Sequence, residues 1–152
     1  MNLAFLERMA SEGDLSKDAF RYLLQCRGES EWLDYKQELN LELDTELCDF
    51  ARDILALKNV GGGYIVVGVK DKTWEQVGLP GPCPYDSKLL RDKVMRATGV
   101  QLAGDVVCHS VEYDGEQRTF ALVHVRSSKK RNRDLTRFRG HRVSGAPPVF
   151  GG

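Results

Sequence analysis

The sequence predicts an α+β domain, within the broad α/β class, from three observations. Apolar residues recur at helical spacing in four separate stretches. One run, Tyr64 to Val69, is almost wholly apolar and rich in Val and Ile. Two further β-rich runs flank an Asp114-Gly115 turn.

The first 26 residues read as two helices. Leu3, Phe5, Leu6 and Met9 mark one; Ala19, Phe20, Leu23 and Leu24, following Asp14 and Ser16, mark the next. Gly28 ends that pattern. Trp32 to Lys36 reads as a short strand, with Trp32, Asp34 and Lys36 on one side and Leu33 and Tyr35 on the other. Asp44 is expected to cap a helix carrying Leu47, Phe50, Ala51, Ile54 and Leu55, stopped by Asn59 and Gly61-Gly62-Gly63. The run from Tyr64 to Val69 has no polar face and is expected in the middle of a sheet. Trp74 to Gly78 reads as a short returning strand, and 78–82 as a loop. Asp86 to Thr98 is a helix with Leu89, Leu90, Val94 and Met95 inward. Asp105 to Tyr113 and Arg118 to Val125 form a hairpin.

A chain of 152 residues, 41% hydrophobic and 29% charged, suits one compact domain and can bury a sizeable core without a metal or disulfide staple. The four cysteines form no CxxC pair, which excludes a structural zinc site and points to free, buried thiols in a reducing cytoplasm. No apolar run approaches the roughly 20 residues needed to cross a bilayer, so a membrane partner is not expected. The opening residues carry acids and no long apolar core, unlike a secretory signal.

The net charge of zero hides an asymmetry. Residues 1–117 hold 13 Lys/Arg and 21 Asp/Glu, whereas 118–152 hold 9 Lys/Arg and the single acid Asp134. A basic end on an acidic body points to a polyanionic partner. The division expected is an N-terminal helical segment at 1–26, a domain at 27–145 and a tail at 146–152. The bare Gly-Gly end reads as an unfinished edge, as in the N-terminal module of a longer protein with a C-terminal regulatory domain.

Two motifs carry a family resemblance. Glu29-Ser30-Glu31-Trp32-Leu33-Asp34-Tyr35-Lys36 gives Glu-Ser followed by acid-aromatic-Lys. Ala56 to Asp71 gives a helix end with Asn59, a glycine run, an apolar strand, Gly68-Val69 and an acid. Together they resemble the Schlafen AlbA_2 domain over roughly residues 25–145. The resemblance implies a mixed β-sheet with flanking helices and nucleic-acid binding. Schlafen members include endoribonucleases that cut tRNA and rRNA with three carboxylates and a divalent metal. Carried across, the metal ligands fall on Glu29, Asp34 and Asp71, with Mg²⁺ or Mn²⁺ as the ion. Asp34 stands where the family usually has Glu, and Lys70 occupies a position that is often acidic. The chemistry is compatible: carboxylate oxygens suit a hard divalent cation, and adjacent strands about 4.8 Å apart let acids from two of them converge. Lys36 shares the face of Asp34 and is a candidate phosphate contact. A surface ion pair of Asp34 with Lys36 is the plain alternative.

The stretch with Arg126, Lys129, Lys130, Arg131, Arg133, Arg137, Arg139 and Arg142 is the strongest independent signal for nucleic acid. Arginines fork onto phosphates, and Phe138 or His141 is suited to stack on an unpaired base. The glycines at 61–63 close a helix and open a strand, the reverse of a phosphate-binding loop, so helix capping explains them. His109 and His124 lie in apolar strands and read as packed. Trp32, Tyr35, Tyr64 and Trp74 read as sheet residues. Three functions remain: a metal-dependent endoribonuclease acting on structured, tRNA-like RNA; a non-catalytic DNA-binding module of a transcriptional regulator; and an interaction or dimerisation domain, such as a homodimer, whose partner supplies the function.

Overall fold

The structure, a computed structural model, describes residues 3–26, 31–102 and 104–127. Its elements are α1 (Leu3–Glu12), α2 (Lys17–Cys26), β1 (Leu33–Lys36), α3 (Asp44–Asn59), β2 (Gly63–Val67), α4 (Ser87–Thr98), β3 (Gly104–Tyr113) and β4 (Glu116–Val125). The four strands form one mixed sheet in the order β1-β2-β4-β3. β1 runs parallel to β2, with Asp34 beside Ile65, and α3 makes the crossover between them. β2 pairs antiparallel with β4, and β4 with β3. The α+β fold with a mixed sheet expected above is the fold observed.

Both faces of the sheet are covered, which is why β2 has no polar face. All five of its residues are buried. Tyr64 and Val66 join Leu33, Tyr35, Phe120 and Leu122 beneath the α1–α2 hairpin, which contributes Leu6, Phe20 and Leu23. Ile65 and Val67 point the other way and pack with Ala121 and Val123 against α3 and α4. Tyr64 fastens α1 to the sheet. Its hydroxyl lies 2.9 Å from the Met9 carbonyl and 2.7 Å from that of Asp14, and burial pushes its pKa up. The two histidines are packed, as expected. Buried His124 meets the Ala10 carbonyl, and His109 meets that of Leu15 at 2.8 Å while stacking on Phe20.

The glycine run does what capping requires, and more. The Gly62 amide donates to the Leu57 carbonyl at 2.7 Å and closes α3. A Cβ on Gly63 would stand 2.6 Å from the Trp32 carbonyl oxygen and 2.7 Å from Leu57 Cδ2, so β2 can start this close to β1 only without a side chain. In the hairpin, Asp114 and Gly115 take φ values of 52° and 77°, as a two-residue hairpin turn demands.

Several expectations need correction. Asp44 is not the cap of α3: Leu43 holds that position with no side-chain bond, and Asp44 is the first helical residue. Glu46 reaches back instead and accepts from the Asn40 amide at 2.8 Å. Leu55 is exposed because it shares a stripe with Cys48, Arg52 and Asn59; Leu57 takes its place inside. Leu89 and Met95 are also exposed, leaving Leu90 and Val94 as the buried residues of α4. The returning strand after Trp74 is reduced to one antiparallel bridge between Val69 and Gln76. The cysteines are not all free. Cys83 and Cys108 form a disulfide, while Cys26 is half-buried and Cys48 exposed.

Candidate functional site

The alternation of β1 decides which residues meet. Leu33 and Tyr35 turn inward under α1–α2, so Asp34 and Lys36 turn toward α3. Because β1 is an edge strand among the described residues, the part of α3 above it does not face the apolar residues of β2 and β4. It faces these two polar side chains. The Lys36 ammonium lies 2.6 Å from Asp53 Oδ2 on α3 and 3.8 Å from Asp34 Oδ2. Burial alone would lower the Lys36 pKa. The hydrogen bond and charge of Asp53, followed by the charges of Asp34 and Asp49, outweigh it and raise the pKa above its ordinary value. Lys36 is therefore firmly cationic and held among three carboxylates.

Two hollows open along this junction. One, of about 280 Å³, is lined by Glu31, Asp34, Asp53 and Val60. The other, of about 260 Å³, is lined by Lys36, Glu38, Glu46, Asp49 and Asp71. Asp71 reaches the second because the amides of Gly68 and Val69 donate to the Lys36 carbonyl, at 2.7 and 3.2 Å, and carry the chain past the end of β1. Gly68 is needed there: its φ is 118°, and a Cβ would stand 2.6 Å from Phe120 Cδ2. Asp34 and Lys36 are thus brought together, and Lys36 and Asp71 share a hollow, whereas Asp34 and Asp71 line different ones. Lys70 and Asp71 are both exposed. Glu29 lies outside the described residues, as do Lys129, Lys130, Arg131, Arg133, Arg137, Arg139 and Arg142; Arg126 lies just past the end of β4. Among the described residues no group of three or more His, Cys, Asp or Glu side chains gathers as for a metal ion.

Sequence reasoning missed Asp49 and Asp53. They stand four apart on α3, beside the apolar stripe rather than opposite it, and that placement was the available signal.

A profile of the Schlafen, AlbA_2 family matches residues 29–143. The chain belongs to the Schlafen AlbA_2 family. The match spans both motifs and extends through the basic segment, and membership points to nucleic-acid binding. No curated protein matches the chain. Among the described residues no helix is long and apolar enough to cross a membrane.

Proposed function

We propose that this AlbA_2 domain binds structured RNA such as tRNA and cleaves it with the help of Mg²⁺ or Mn²⁺, in a cytoplasmic setting. One observation carries the reading: the acid and the lysine of the first motif, Asp34 and Lys36, share an accessible face of an edge strand with further carboxylates around them. Carboxylate oxygens suit a hard divalent cation, and Asp34 offers one beside the Lys36 ammonium, while Asp71 lines the neighbouring hollow and Glu29 lies outside the described residues. Glu29, Asp34 and Asp71 would hold the ion. Bound there, it would stabilise charge on phosphate oxygens and lower the pKa of a water molecule. Lys36 contacts the scissile phosphate once its ammonium exchanges Asp53 for a phosphate oxygen. The segment from Arg126 to Arg142 grips the backbone, with guanidinium groups taking phosphates two oxygens at a time.

The test is a gel of labelled tRNA, stem-loop RNA and duplex DNA, with Mg²⁺, Mn²⁺ or EDTA. Wild-type protein is expected to cut the RNAs only with metal. Asp34→Ala is expected to abolish cutting yet bind RNA as well or better, because it removes a negative charge near the phosphate. Asp34→Glu, which restores the residue usual in the family, is expected to keep activity, and Lys36→Ala to weaken binding and cutting together. Cleavage that persists in Asp34→Ala would overturn the assignment. A second reading, a non-catalytic DNA-binding module of a transcriptional regulator, is favoured by the separation of Asp34 and Asp71 into different hollows. It wins if the wild type cuts nothing with any metal and binds duplex DNA firmly.

A further inference from the structure

The segment joining the Val69–Gln76 bridge to α4 contains Pro80, Pro82 and Pro84, none of which has an N–H to donate. Its two ends are well tied. The Leu79 amide donates to the Thr119 carbonyl at 2.8 Å. The Tyr85 hydroxyl donates to the Leu39 carbonyl and accepts from the Leu39 amide, at 2.5 and 3.1 Å. Just beyond, the Ser87 hydroxyl accepts from the Val106 amide at 3.0 Å, on the outer edge of β3. Between Leu79 and Tyr85 the tie to the sheet is the Cys83–Cys108 bond, with Cα atoms 6.2 Å apart. Residues 83–87 thus lie along β3, whose far edge has no strand beside it among the described residues, and a covalent bond stands where the prolines preclude a ladder. Both cysteines are half-buried rather than enclosed.

We propose that Cys83–Cys108 is a site of reversible thiol–disulfide exchange with a small cellular thiol of the glutathione class. A thiolate attacks one sulfur, the S–S bond breaks, a mixed disulfide forms and the other cysteine leaves as a thiolate that takes a proton. A second thiol resolves the mixed disulfide, giving two protein thiols and one oxidised small-molecule disulfide. Opening the bond frees residues 80–84 from β3, while Tyr85 and Ser87 keep the start of α4 in place. Pro80, Gly81, Pro82 and Pro84 line a cleft together with Leu39, Leu41 and Leu89, so the redox state sets whether one wall of that cleft is fixed. The inference is independent of the proposed RNA chemistry.

The test equilibrates the whole chain in glutathione buffers from oxidising to reducing, traps thiols with iodoacetamide under native conditions and maps labelled cysteines by mass spectrometry. Cys48 is expected to label throughout, whereas Cys83 and Cys108 are expected to label together and only toward the reducing end. Hydrogen exchange at 80–84 is expected to rise in step with that labelling while exchange in β2 and β4 stays unchanged. The double variant Cys83→Ser/Cys108→Ser is expected to give the reduced pattern in every buffer. Three results would each overturn the inference: full labelling of both cysteines in the oxidising buffer, no labelling in the reducing one, or unchanged exchange at 80–84 when the bond opens. Exchange that rises across β2 and β4 as well would overturn it too, by making the bond a support of the whole fold.

Discussion

Replacing Lys36 with Met tests whether one ammonium holds the carboxylates of β1 and α3 together. Methionine keeps most of the aliphatic stem and removes the charge. The 2.6 Å contact with Asp53 is a short, charged hydrogen bond, of a kind worth about 1.5–3 kcal/mol when well sheltered. Here the Lys36 side chain is 23% exposed and that of Asp53 35%, so water screens the pair and about 1–2 kcal/mol is the reasonable range. A domain of this size loses about 2–4 °C of Tm per kcal/mol, which gives an expected fall of about 2–8 °C. The pH dependence supplies a sharper signature. The folded-state pKa of Lys36 is raised above 10.5 by its carboxylate partners, against the opposing effect of burial. A raised pKa contributes stability that is fully present below the unfolded value and is lost as pH rises through the folded one. The difference between wild type and Lys36→Met is therefore flat around neutral pH and, on the alkaline side, shrinks above pH 10.5. Urea unfolding followed by tryptophan fluorescence, run on both proteins at matched pH values, measures that difference and cancels the titration of other groups. No difference at neutral pH, or one that grows in alkali, would refute the reasoning.

Three other outcomes follow from the same structure. Replacing Lys129, Lys130, Arg131 and Arg133 by Ala is expected to flatten the salt dependence of RNA binding by about 3–4 units of slope, at roughly 0.7–0.9 per lost phosphate contact; anisotropy titrations across salt concentrations check this, and an unchanged slope would move the interface elsewhere. Val66→Asp places an unpaired charge at a position with no solvent exposure, in the middle of the sheet, and is expected to prevent folding, so a soluble, cooperatively melting variant would contradict the burial. Gly63→Ala forces a methyl group against the Trp32 carbonyl and Leu57 and is expected to cost about 1–3 kcal/mol in urea unfolding.

Where the chain's local chemistry and its burial agree, the elements were legible from sequence. Tyr64 to Val67 has no polar face because helices cover both sides of β2. Asp114-Gly115 announces its turn because few other pairs accept positive φ twice in succession. The misses share one cause: apolar residues and cysteines respond to neighbours that sequence spacing does not reveal. Leu55, Leu89 and Met95 fit a helical stripe in one dimension, but α3 and α4 are each buried along a narrower band than the stripe assumed. Asp44 has the chemistry of a cap, yet the turn closed by the Leu43 amide on the Asn40 carbonyl sets the helix start one residue earlier. Cys83 and Cys108 are 25 residues apart, and only the path of the proline-rich segment along β3 brings them together.

The candidate site was legible by half, and the topology explains which half. The motif named Asp34 and Lys36, and their alternation with Leu33 and Tyr35 assigned them one face. What that face meets depends on the crossover. A parallel β1–β2 pair joined through α3 lays the helix over one side of both strands. Phe50 and Ile54 can then sit over apolar β2 and β4, while Asp53, set to one side of them, falls over the edge strand. A residue in that place must be polar, since it meets an acid and a lysine rather than Ile65 or Val67. The consequence for nucleic acid is electrostatic. The acids around Lys36 outnumber it, so this face alone repels a phosphate. The chain leaving β4 passes close by: a Cβ on Gly62 would stand 3.2 Å from the Ser127 amide nitrogen, and Gly62 is only two residues from Val60, which lines the hollow of Asp34 and Asp53. The basic sequence therefore begins, at Arg126 and Ser127, at the end of β2 where this hollow lies.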